Sequence, residues 1–511
     1  MCLVNSPATV SSTSSQRGQI VSPESADRPP PYSDGFAEGP PPSVNTGEES
    51  DGRAAKRPRA ESGGGAAAQD GRDRISELPD AILVSILSYL PLRDAARSTV
   101  LSSRWRHLFD QSLLDFNACQ PFPPEGGRGC DWVIHAIDSI LAAPRHIPIR
   151  SFRFVMYGKG FIKHTGTVAR WFRTLASRGV RELDVDMLYT VPKPPLPALL
   201  LQFASLQTLR VCHCDLPDYA QAGALWLPVL RTLDLSNVGV TQHTLQAMLS
   251  HCPSLECAKL KNITGAGKIC LRSKSLTRLY GDFGNLKELV ITDAPNLEEL
   301  VGIGLPSGAA TLKIDFAPKL QVLGYLGKSV RPLVLRDTIF DGGIVQSRTL
   351  MSSVKTLAIQ VPFSEKGYTV FVTQLLKCFP CLEVFCIEPD NRSDPRRVNI
   401  ENWDTTTSIQ CVEHTINKLA FECFEGEWYQ WDFLTFLLGM ARALKIVEIY
   451  FPKSKDCYSN GRQPVSSINR VSQDVEFLVF RTYELTNNMY LCHCCPARCH
   501  KQNKVLLPCE I

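Results

Sequence analysis

The sequence predicts an α/β protein in which a small three-helix domain precedes an irregular solenoid of short strands. Closely spaced apolar residues between positions 73 and 112 indicate the helical domain. The solenoid is indicated by one phrase, apolar-x-x-apolar-x-apolar, which recurs from residue 180 onward with the first starts 21 to 26 residues apart. A period of this length accommodates one strand and one return segment per turn, and each turn buries its apolar face against its neighbours.

Composition limits the class of protein. The 511 residues are 44% hydrophobic, which is enough for a sizeable core and predicts about two to four domains. The 55 basic and 51 acidic residues nearly balance, so no general affinity for polyanions is expected. Nineteen cysteines without a secretory hydrophobic segment favour reduced intracellular thiols. No apolar run reaches the roughly 18 residues of a membrane span, and we expect a soluble protein of the nucleus and/or cytoplasm.

Changes in pattern divide the chain into six predicted segments. They are a disordered arm at 1–72, the helical domain at 73–112, a connecting and capping segment at 113–179, the repeat array at 180–400, a further apolar-spaced region at 401–451, and a C-terminal segment with a Cys-rich tail at 452–511. The arm is rich in Ser, Pro, Gly and Ala and has no hydrophobic periodicity, so burial does not offset its chain entropy. Its PPPY and KRPR stretches have the forms of a WW-domain ligand and a nuclear import signal, but such matches are frequent in solvated tails.

The helical domain begins at Leu78-Pro79, because proline suits the start of a helix and holds the preceding residue extended. The apolar residues of the first helix have the spacing of a single stripe: Ile82, Leu83, Ile86, Leu87 and Leu90. Pro91 ends that helix. A second helix is expected over 93–100. A third, capped by Ser102 or Ser103, is expected to carry its apolar side chains inward: Trp105, Leu108 and Phe109. Three helices of this size bury too little surface alone, so the exposed apolar remainder is expected to meet a partner.

This pattern resembles the F-box. The residues at the family's spacing are Leu78, Pro79, Ile82, Leu83, Ile86, Leu87, Leu90, Pro91, Asp94, Val100, Leu101, Ser102, Arg104 and Trp105. The resemblance implies docking onto a Skp-type adaptor, which links the protein to a cullin and a RING subunit. It also implies the adaptor-binding set: Leu78, Pro79, Ile82, Leu83, Ile86, Leu87, Leu90, Pro91, Leu101 and Trp105. The alternative is an ordinary helical hairpin inside a larger core.

The connecting segment has mixed periodicity, which predicts helices over 132–141 and 168–176 and a strand over 152–156. The repeat phrase then starts at residues 180, 206, 230, 255 and 276, and a looser form starts at 286, 330, 354, 382, 416 and 444. Further phrases at 297, 310 and 320 come about 11 residues apart, too few for a strand plus a helix, so two short strands per turn are predicted there. The wider gaps leave room for helices over 371–379 and 431–444.

The array resembles the leucine-rich repeats of plant F-box proteins, with one departure. Cys214 matches the family's asparagine or cysteine position, whereas Val238 and Ile263 occupy it in the next two turns, and Asn237 and Asn262 come one residue early. An unrelated α/β domain is the alternative. Residues 401–451 resemble the FBD region of that class through Cys411, Val412, Phe424, Gly426, Leu437, Leu438, Ala441, Leu444 and Lys445.

No catalytic motif emerges from the sequence. The GAGK stretch at 265–268 lacks the leading glycine and the magnesium ligand of a phosphate loop and is expected to be a turn. The tail carries thiol and imidazole ligands suited to zinc: Cys492, His493, Cys494, Cys495, Cys499, His500 and Cys509. The adjacent Cys494 and Cys495 do not readily point both sulfurs at one ion. We therefore predict no metal, no cofactor and no enzyme activity.

Together these observations lead to the hypothesis of a substrate-recognition subunit of a cullin-RING ubiquitin ligase. The outward slots of successive phrases hold the candidate substrate-binding residues: Asp184, Arg210, Asp234 and Lys259. Their alternating sign favours a protein ligand over a nucleic-acid backbone. The alternatives are a non-degradative F-box scaffold and a small-ligand sensor that uses the array as a binding module.

Overall fold

The computed structural model describes residues 75, 77–90, 92–111, 114–119, 131–142, 149–157, 164–188, 192–283, 285–303, 310–327, 330–341, 344–345, 350–363, 366–389, 402–404, 406–451, 474–481 and 505–506. All of them belong to one compact unit, Asp73–Ile511. The predicted arm at 1–72 and most of the C-terminal segment lie outside the described residues. No helix among the described residues is long and apolar enough to cross a membrane.

Three helices open the described chain: α1 (Asp80–Tyr89), α2 (Leu92–Ser98) and α3 (Ser103–Gln111). The predicted entry is confirmed, because Pro79 is the capping residue before α1. At α3 the Ser102 hydroxyl oxygen accepts a hydrogen bond from the Trp105 backbone N–H at 3.3 Å. Ser102 is therefore the N-cap of α3, one of the two residues predicted for that role.

The connecting segment contributes β1 (Leu114–Cys119), α4 (Asp131–Ala142), β2 (Ile149–Tyr157) and α5 (Thr165–Ser177). The two predicted helices and the predicted strand are confirmed, while β1 was not expected. Because β1 pairs with β2 and β2 pairs with the first strand of the repeat array, all in parallel, this segment forms the first turns of the main sheet.

The remaining strands, in chain order, are β3 (Glu182–Leu188), β4 (Thr208–Cys212), β5 (Thr232–Ser236), β6 (Cys257–Lys261), β7 (Lys268–Arg272), β8 (Arg278–Asp282), β9 (Glu288–Asp293), β10 (Glu299–Ile303), β11 (Ala310–Ile314), β12 (Val322–Gly327), β13 (Val330–Leu335), β14 (Thr338–Asp341), β15 (Ile344–Val345), β16 (Thr356–Val361), β17 (Val384–Pro389), β18 (Lys418–Phe421), β19 (Ile446–Phe451), β20 (Glu476–Arg481) and β21 (Val505–Leu506). The helices among them are a 3-10 turn (Ala198–Gln202), α6 (Tyr219–Ala222), α7 (Gln242–His251), α8 (Tyr368–Leu376), α9 (Gln410–His414) and α10 (Trp428–Leu438).

Fifteen of the described strands form the main sheet, in the order β1-β2-β3-β4-β5-β6-β8-β10-β12-β16-β17-β18-β19-β20-β21. The pairing is parallel from β1 to β20 and antiparallel only between β20 and β21. This order confirms the predicted solenoid, because each turn adds one strand beside the previous one. The FBD-like region continues the same sheet through β18 and β19.

A second sheet of six described strands runs in the order β15-β14-β13-β11-β9-β7. It confirms the prediction of two strands per turn in this part of the array. The prediction was wrong in one respect: the phrases at 286 and 330 form β9 and β13 of the second sheet and do not continue the main sheet. The second sheet also begins one turn earlier than expected, since Lys268 of the GAGK stretch starts β7.

Both predicted late helices are present but shifted. The helix expected over 371–379 is α8, and the helix expected over 431–444 is α10, which begins three residues earlier. The earlier start of α10 has a physical cause, because Glu427 and Gln430 form a reciprocal capping box at its N-terminus. Gly439 follows its last residue, and the segment before β19 is therefore a turn.

The main core lies between the main sheet and the helices, turns and second sheet that cover one of its faces. A feature of this core explains Gly281, which interrupts the apolar phrase. A Cβ on Gly281 or on its partner Gly302 would lie 2.5 or 2.6 Å from the ring of Phe283, which is buried. Phe283 therefore fills the space that the two missing side chains leave.

Candidate docking surfaces

The helices α1 to α3 enclose a small core of their own. Its members are apolar side chains from all three helices: Leu83, Leu87, Ala95, Trp105, Leu108 and Phe109. Leu83 and Leu87 are 0% exposed. They stand four residues apart on α1, so they lie above each other on one face of that helix.

Beside this core, several large apolar side chains are left exposed. Ile82 and Ile86 of α1 are 47% and 39% exposed, and Val100 and Leu101 in the turn before α3 are 84% and 70% exposed. The single stripe predicted for α1 is therefore two adjacent stripes, because neighbouring residues are rotated by about 100° around a helix. Tyr89, at the end of α1, is a further exposed side chain that the sequence analysis missed, and the Arg150 guanidinium lies over its ring, 4.9 Å from the centroid. We call Ile82, Ile86, Tyr89, Val100 and Leu101 the apolar face.

The predicted adaptor-binding residues thus divide into groups. The exposed ones are Pro79, Ile82, Ile86 and Leu101, and the partly buried ones are Leu78 and Leu90. The buried ones, Leu83, Leu87 and Trp105, support the surface from behind. Pro91 lies outside the described residues.

Arg104 joins the beginnings of α1 and α3. Its guanidinium donates hydrogen bonds to Asp80 Oδ1 at 2.6 and 2.9 Å and to the Leu78 carbonyl oxygen at 2.6 Å. A lysine in this position has a single ammonium group. It would not bond the Leu78 carbonyl oxygen and also make the two contacts to Asp80. Because both side chains are partly exposed, we expect this contact to orient the two helix starts more than to stabilise the fold.

Charged side chains follow one register line across the first strands of the main sheet. Arg153 pairs with Asp184 on the next strand, and Asp184 pairs with Arg210. Arg210 pairs with Asp234, which pairs with Lys259. The four predicted substrate-binding residues therefore form one row, with neighbours about 4.8 Å apart in the direction of the sheet hydrogen bonds. We call Arg153, Asp184, Arg210, Asp234 and Lys259 the charged row.

The charged row is internally compensated. Arg153 Nε lies 3.2 Å from Asp184 Oδ2. Partial burial raises the pKa of Asp184 and of Asp234, and the neighbouring basic residues oppose that rise: Arg153 and Arg210 at the first, Lys259 and Arg210 at the second. The row therefore offers an alternating pattern of charge without a large net charge.

Beyond Lys259 the same face of the sheet changes character. Its side chains form a buried, mostly apolar cluster: Cys257, Tyr280, Val301, Tyr325, Ala358, Cys386, Ala420, Tyr450 and Phe480. The Tyr325 hydroxyl donates to both carboxylate oxygens of Glu422 at 3.2 Å. Burial, and then the nearby Glu388 carboxylate, raise the pKa of Glu422 to about 7. Sequence analysis missed this cluster, although reading the outward slot of every phrase to the end of the array would have found most of it.

A metal site in a protein needs several carboxylate, thiol or imidazole groups close together. Among the described residues, no group of three or more His, Cys, Asp or Glu side chains is placed to hold an ion. The cysteines and histidines of the tail lie outside the described residues. Lys268 of the GAGK stretch forms an ion pair with Glu288 at 2.7 Å across β7 and β9.

Two family models match the chain. One is the F-box domain, over residues 75–117. The other is the leucine-rich repeats of the FBD-associated F-box protein At5g56370, over residues 168–387. The first includes the three helices and the second begins in α5 and ends in β17.

Relatives in Arabidopsis thaliana are named for an F-box together with an FBD region, leucine-rich repeats or both. The FBD-associated F-box protein At4g10400 is 32% identical over 405 residues, which cover 74% of this chain and 92% of that relative. The F-box/FBD/LRR-repeat protein At1g78750 is 30% identical over 279 residues, which cover 52% of this chain and 55% of that relative. A protein named for an F-box and leucine-rich repeats, At4g00320, is 32% identical over 206 residues, and the chain spans only 40% of its length.

Proposed function

The chain belongs to the family of FBD-associated F-box/leucine-rich repeat proteins, and on this premise we propose that it is the substrate-recognition subunit of a Skp-cullin-F-box ubiquitin ligase. In this role the F-box docks a Skp-type adaptor, which brings a cullin and a RING subunit. The repeat array selects a protein for ubiquitination, and the chain itself carries out no catalysis. We place this activity in the nucleus and/or cytoplasm, where the rest of such a ligase would be available.

The observation that carries the proposal is the apolar face on α1 and on the turn before α3. Large apolar side chains that are 39–84% exposed stand directly beside a closed core in the same three helices. Exposed apolar groups clustered in this way mark a protein interaction surface. The core keeps the helices in place, so the face is preformed and loses little entropy when a partner binds.

The reader part of the proposal is supported by the charged row. It presents an ordered pattern of alternating charge on one face of a rigid sheet. Such a pattern contributes more to partner selection and register than to raw affinity. A protein segment with the complementary sequence of charges matches it better than a uniformly charged polymer does.

Affinity capture from cells with the proteasome blocked would test both parts. In an Ile86→Ala/Leu101→Ala variant we expect adaptor and cullin to be lost, because two truncated side chains remove about 3 kcal/mol of apolar burial, or roughly a hundredfold in affinity. A bound substrate should stay and accumulate. An Arg210→Asp/Asp234→Arg exchange, which keeps the net charge, should lose the substrate and keep the adaptor and cullin.

A Val229→Ala/Val370→Ala variant is the matched control, since both valines are exposed apolar residues of the array. It should keep adaptor and substrate. Wild-type protein that captures no adaptor would refute the docking role. An exchange in the charged row that leaves capture of every other protein unchanged would refute the reader role assigned to that row.

A further inference from the structure

A chain of hydrogen-bonded polar side chains runs along the carboxyl ends of five neighbouring strands of the main sheet, β3, β4, β5, β6 and β8. His213 Nδ1 lies 2.8 Å from Asp186 Oδ1, and His213 Nε2 lies 3.2 Å from Asn237 Nδ2. Asn262 Nδ2 donates to Asn237 Oδ1 at 2.5 Å, and Asn285 Nδ2 donates to Asn262 Oδ1 at 2.8 Å. We call Asp186, His213, Asn237, Asn262 and Asn285 the rim ladder.

The backbone holds three members of the rim ladder in one conformation. His213, Asn237 and Asn262 have φ values of 57°, 55° and 50°, in the left-handed region. Asparagine and, to a lesser degree, histidine adopt this region more readily than most residues. Each follows directly after its strand, and His213 and Asn237 donate their backbone N–H groups to the carbonyl oxygens of Ser236 and Lys261 in the next turn. The ladder is therefore a repeated feature, built one residue earlier than the position that Cys214, Val238 and Ile263 occupy.

All the side-chain hydrogen bonds of the rim ladder point the same way. An ionised carboxylate only accepts, so Asp186 fixes the proton of a neutral His213 ring on Nδ1. His213 Nε2 is then an acceptor, and Asn237 turns its NH₂ group toward it. This leaves Asn237 Oδ1 to accept from Asn262, and Asn262 Oδ1 to accept from Asn285. The direction of four hydrogen bonds is thus set from the Asp186 end.

When His213 is protonated, the bond to Asp186 keeps its direction, and the opposite direction is self-consistent for the three bonds beyond the ring. Both ring nitrogens then donate, and His213 Nε2–H requires Asn237 Oδ1 in place of the NH₂ group. If Asn237 turns its amide over, its NH₂ group faces Asn262, and the same requirement passes to Asn285. A rotation of each amide restores every bond, whereas rotation of one amide alone leaves two donors or two acceptors facing each other.

We propose that His213 is a proton-operated switch that sets the hydrogen-bond direction of the rim ladder. In the neutral state the ladder donates toward Asp186, and in the protonated state its three amides are reversed. The change reaches Asn285, three strands and about 14 Å from His213, without movement of the backbone. Its effect is to exchange acceptor and donor groups along an edge of the repeat array.

Charged side chains from several elements lie close to His213 or to the residues beside it. Asp186 on β3 contacts the ring directly, and Asp184 lies two residues before it on the same strand. Asp234 lies near Cys212, and Asp215 and Lys193 lie near Cys214, the two residues that flank His213. These are four carboxylates and one amine, and the group in contact with the His213 ring is the Asp186 carboxylate. Protonation therefore converts an existing hydrogen bond into an ion pair.

The test is NMR of the deuterated full-length chain with selectively ¹⁵N-labelled histidine and asparagine, between about pH 5 and 8. Single Asn→Ala variants identify the side-chain amide signals. At the alkaline end we expect His213 as the Nδ1–H tautomer. On acidification the amide signals of Asn237, Asn262 and Asn285 should shift with the same midpoint as the His213 ring.

The matched variant is His213→Asn, which suits the left-handed backbone and carries the residue that the next two turns use. It should preserve the ladder and lose the pH-dependent shifts. In Asp186→Asn, the proton of the neutral His213 ring should no longer be fixed on Nδ1, and both tautomers should be observed. Amide signals of Asn262 and Asn285 that stay fixed while His213 titrates, or shifts that persist in His213→Asn, would overturn the proposal.

Discussion

At the residue scale, the spacing of apolar residues in α1 predicted a helix but not which side chains it buries. Ile86 and Leu87 have nearly the same hydrophobicity and are neighbours in sequence, yet Leu87 is fully buried and Ile86 is 39% exposed. The difference comes from where α3 packs, and its Trp105, Leu108 and Phe109 occupy only one side of α1. A periodic pattern defines a stripe, but only the packing partner divides it into a core and an exposed face.

The first prediction contrasts these two neighbours. Leu87→Ala should lower the free energy of unfolding of the F-box by about 2–5 kcal/mol, because it leaves a cavity in a small core. Ile86→Ala should change it by less than about 0.5 kcal/mol. Hydrogen exchange of amides in α1 and α3 measures both. Equal loss of protection in the two variants would contradict the division of α1 into a buried and an exposed stripe.

A second prediction concerns Glu422, whose pKa is raised to about 7 by burial and by the Glu388 carboxylate. Since the folded-state pKa lies above the ordinary value, the folded protein holds this proton more tightly than the unfolded chain does. The resulting stability is full at low pH and is lost as the pH rises through about 7. Glu422→Gln, which carries no charge, should therefore stabilise the protein by about 3 kcal/mol at pH 8 and by less than about 1 kcal/mol at pH 5.

Thermal melting at the two pH values measures this effect. Glu298→Gln is the control, because Glu298 is exposed on the same array and its neutralisation should shift the two melts equally. A Glu422→Gln variant whose advantage is the same at pH 5 and pH 8 would show that the carboxyl group is ionised throughout.

At the scale of elements, the sequence predicted where the strands lie better than it predicted which of the two sheets each strand joins. The repeat phrase requires an extended segment with alternating burial, and each described occurrence from 180 to 444 contains or leads into a strand. The same phrase also forms β9 and β13, so the pattern does not tell which of two sheets a strand joins. That choice depends on the chain length between strands, which the spacing of about 11 residues did indicate.

The spacing of the repeat phrase did not reveal that side chains of α7 cover the open edge of β7, the first strand of the second sheet. Gln242 and Gln246 of α7 pair with its outer edge: their side-chain oxygens accept from Lys268 N–H at 3.0 Å and Cys270 N–H at 3.0 Å, and their NH₂ groups donate to the carbonyl oxygens of the same residues. The match is geometric. Residues four apart on a helix rise about 6 Å, close to the roughly 6.7 Å between alternate residues of a strand.

The third prediction tests this edge. An open strand edge is a template for pairing with another chain, so Gln242→Ala/Gln246→Ala should cause concentration-dependent association and lower the free energy of unfolding by roughly 2 kcal/mol. Light scattering and thermal melting follow the two effects. His243→Ala alters an exposed residue of the same helix and should leave both unchanged. A double variant that stays monomeric at high concentration would mean that the glutamines do not guard the edge.

At the scale of the whole molecule, the FBD-like region was predicted as a segment of its own, although the looser repeat phrase also starts within it, at 416 and 444. The strands of those two phrases, β18 and β19, continue the main sheet beyond β17. Aromatic side chains also cross the boundary: the Phe363 ring centroid lies 4.8 Å from that of Tyr429, and Tyr368 lies 5.6 Å from Trp403. Sequence similarity marked the region as distinct, but the contacts make it part of one array.

The last prediction follows from this continuity. A chain that ends at residue 400 would leave β17 as an open edge and would expose Phe385, Phe363 and Tyr368, which are buried in the intact protein. Repeat arrays depend on the interface between neighbouring turns, and a terminal turn without a cap loses both stability and resistance to association. We therefore expect this truncated protein to aggregate or to lose cooperative melting, and the separate fragment 401–511 not to fold. If each fragment melted cooperatively by itself, the FBD-like region would be an independent domain, and its place in the array would have to be explained by docking after folding.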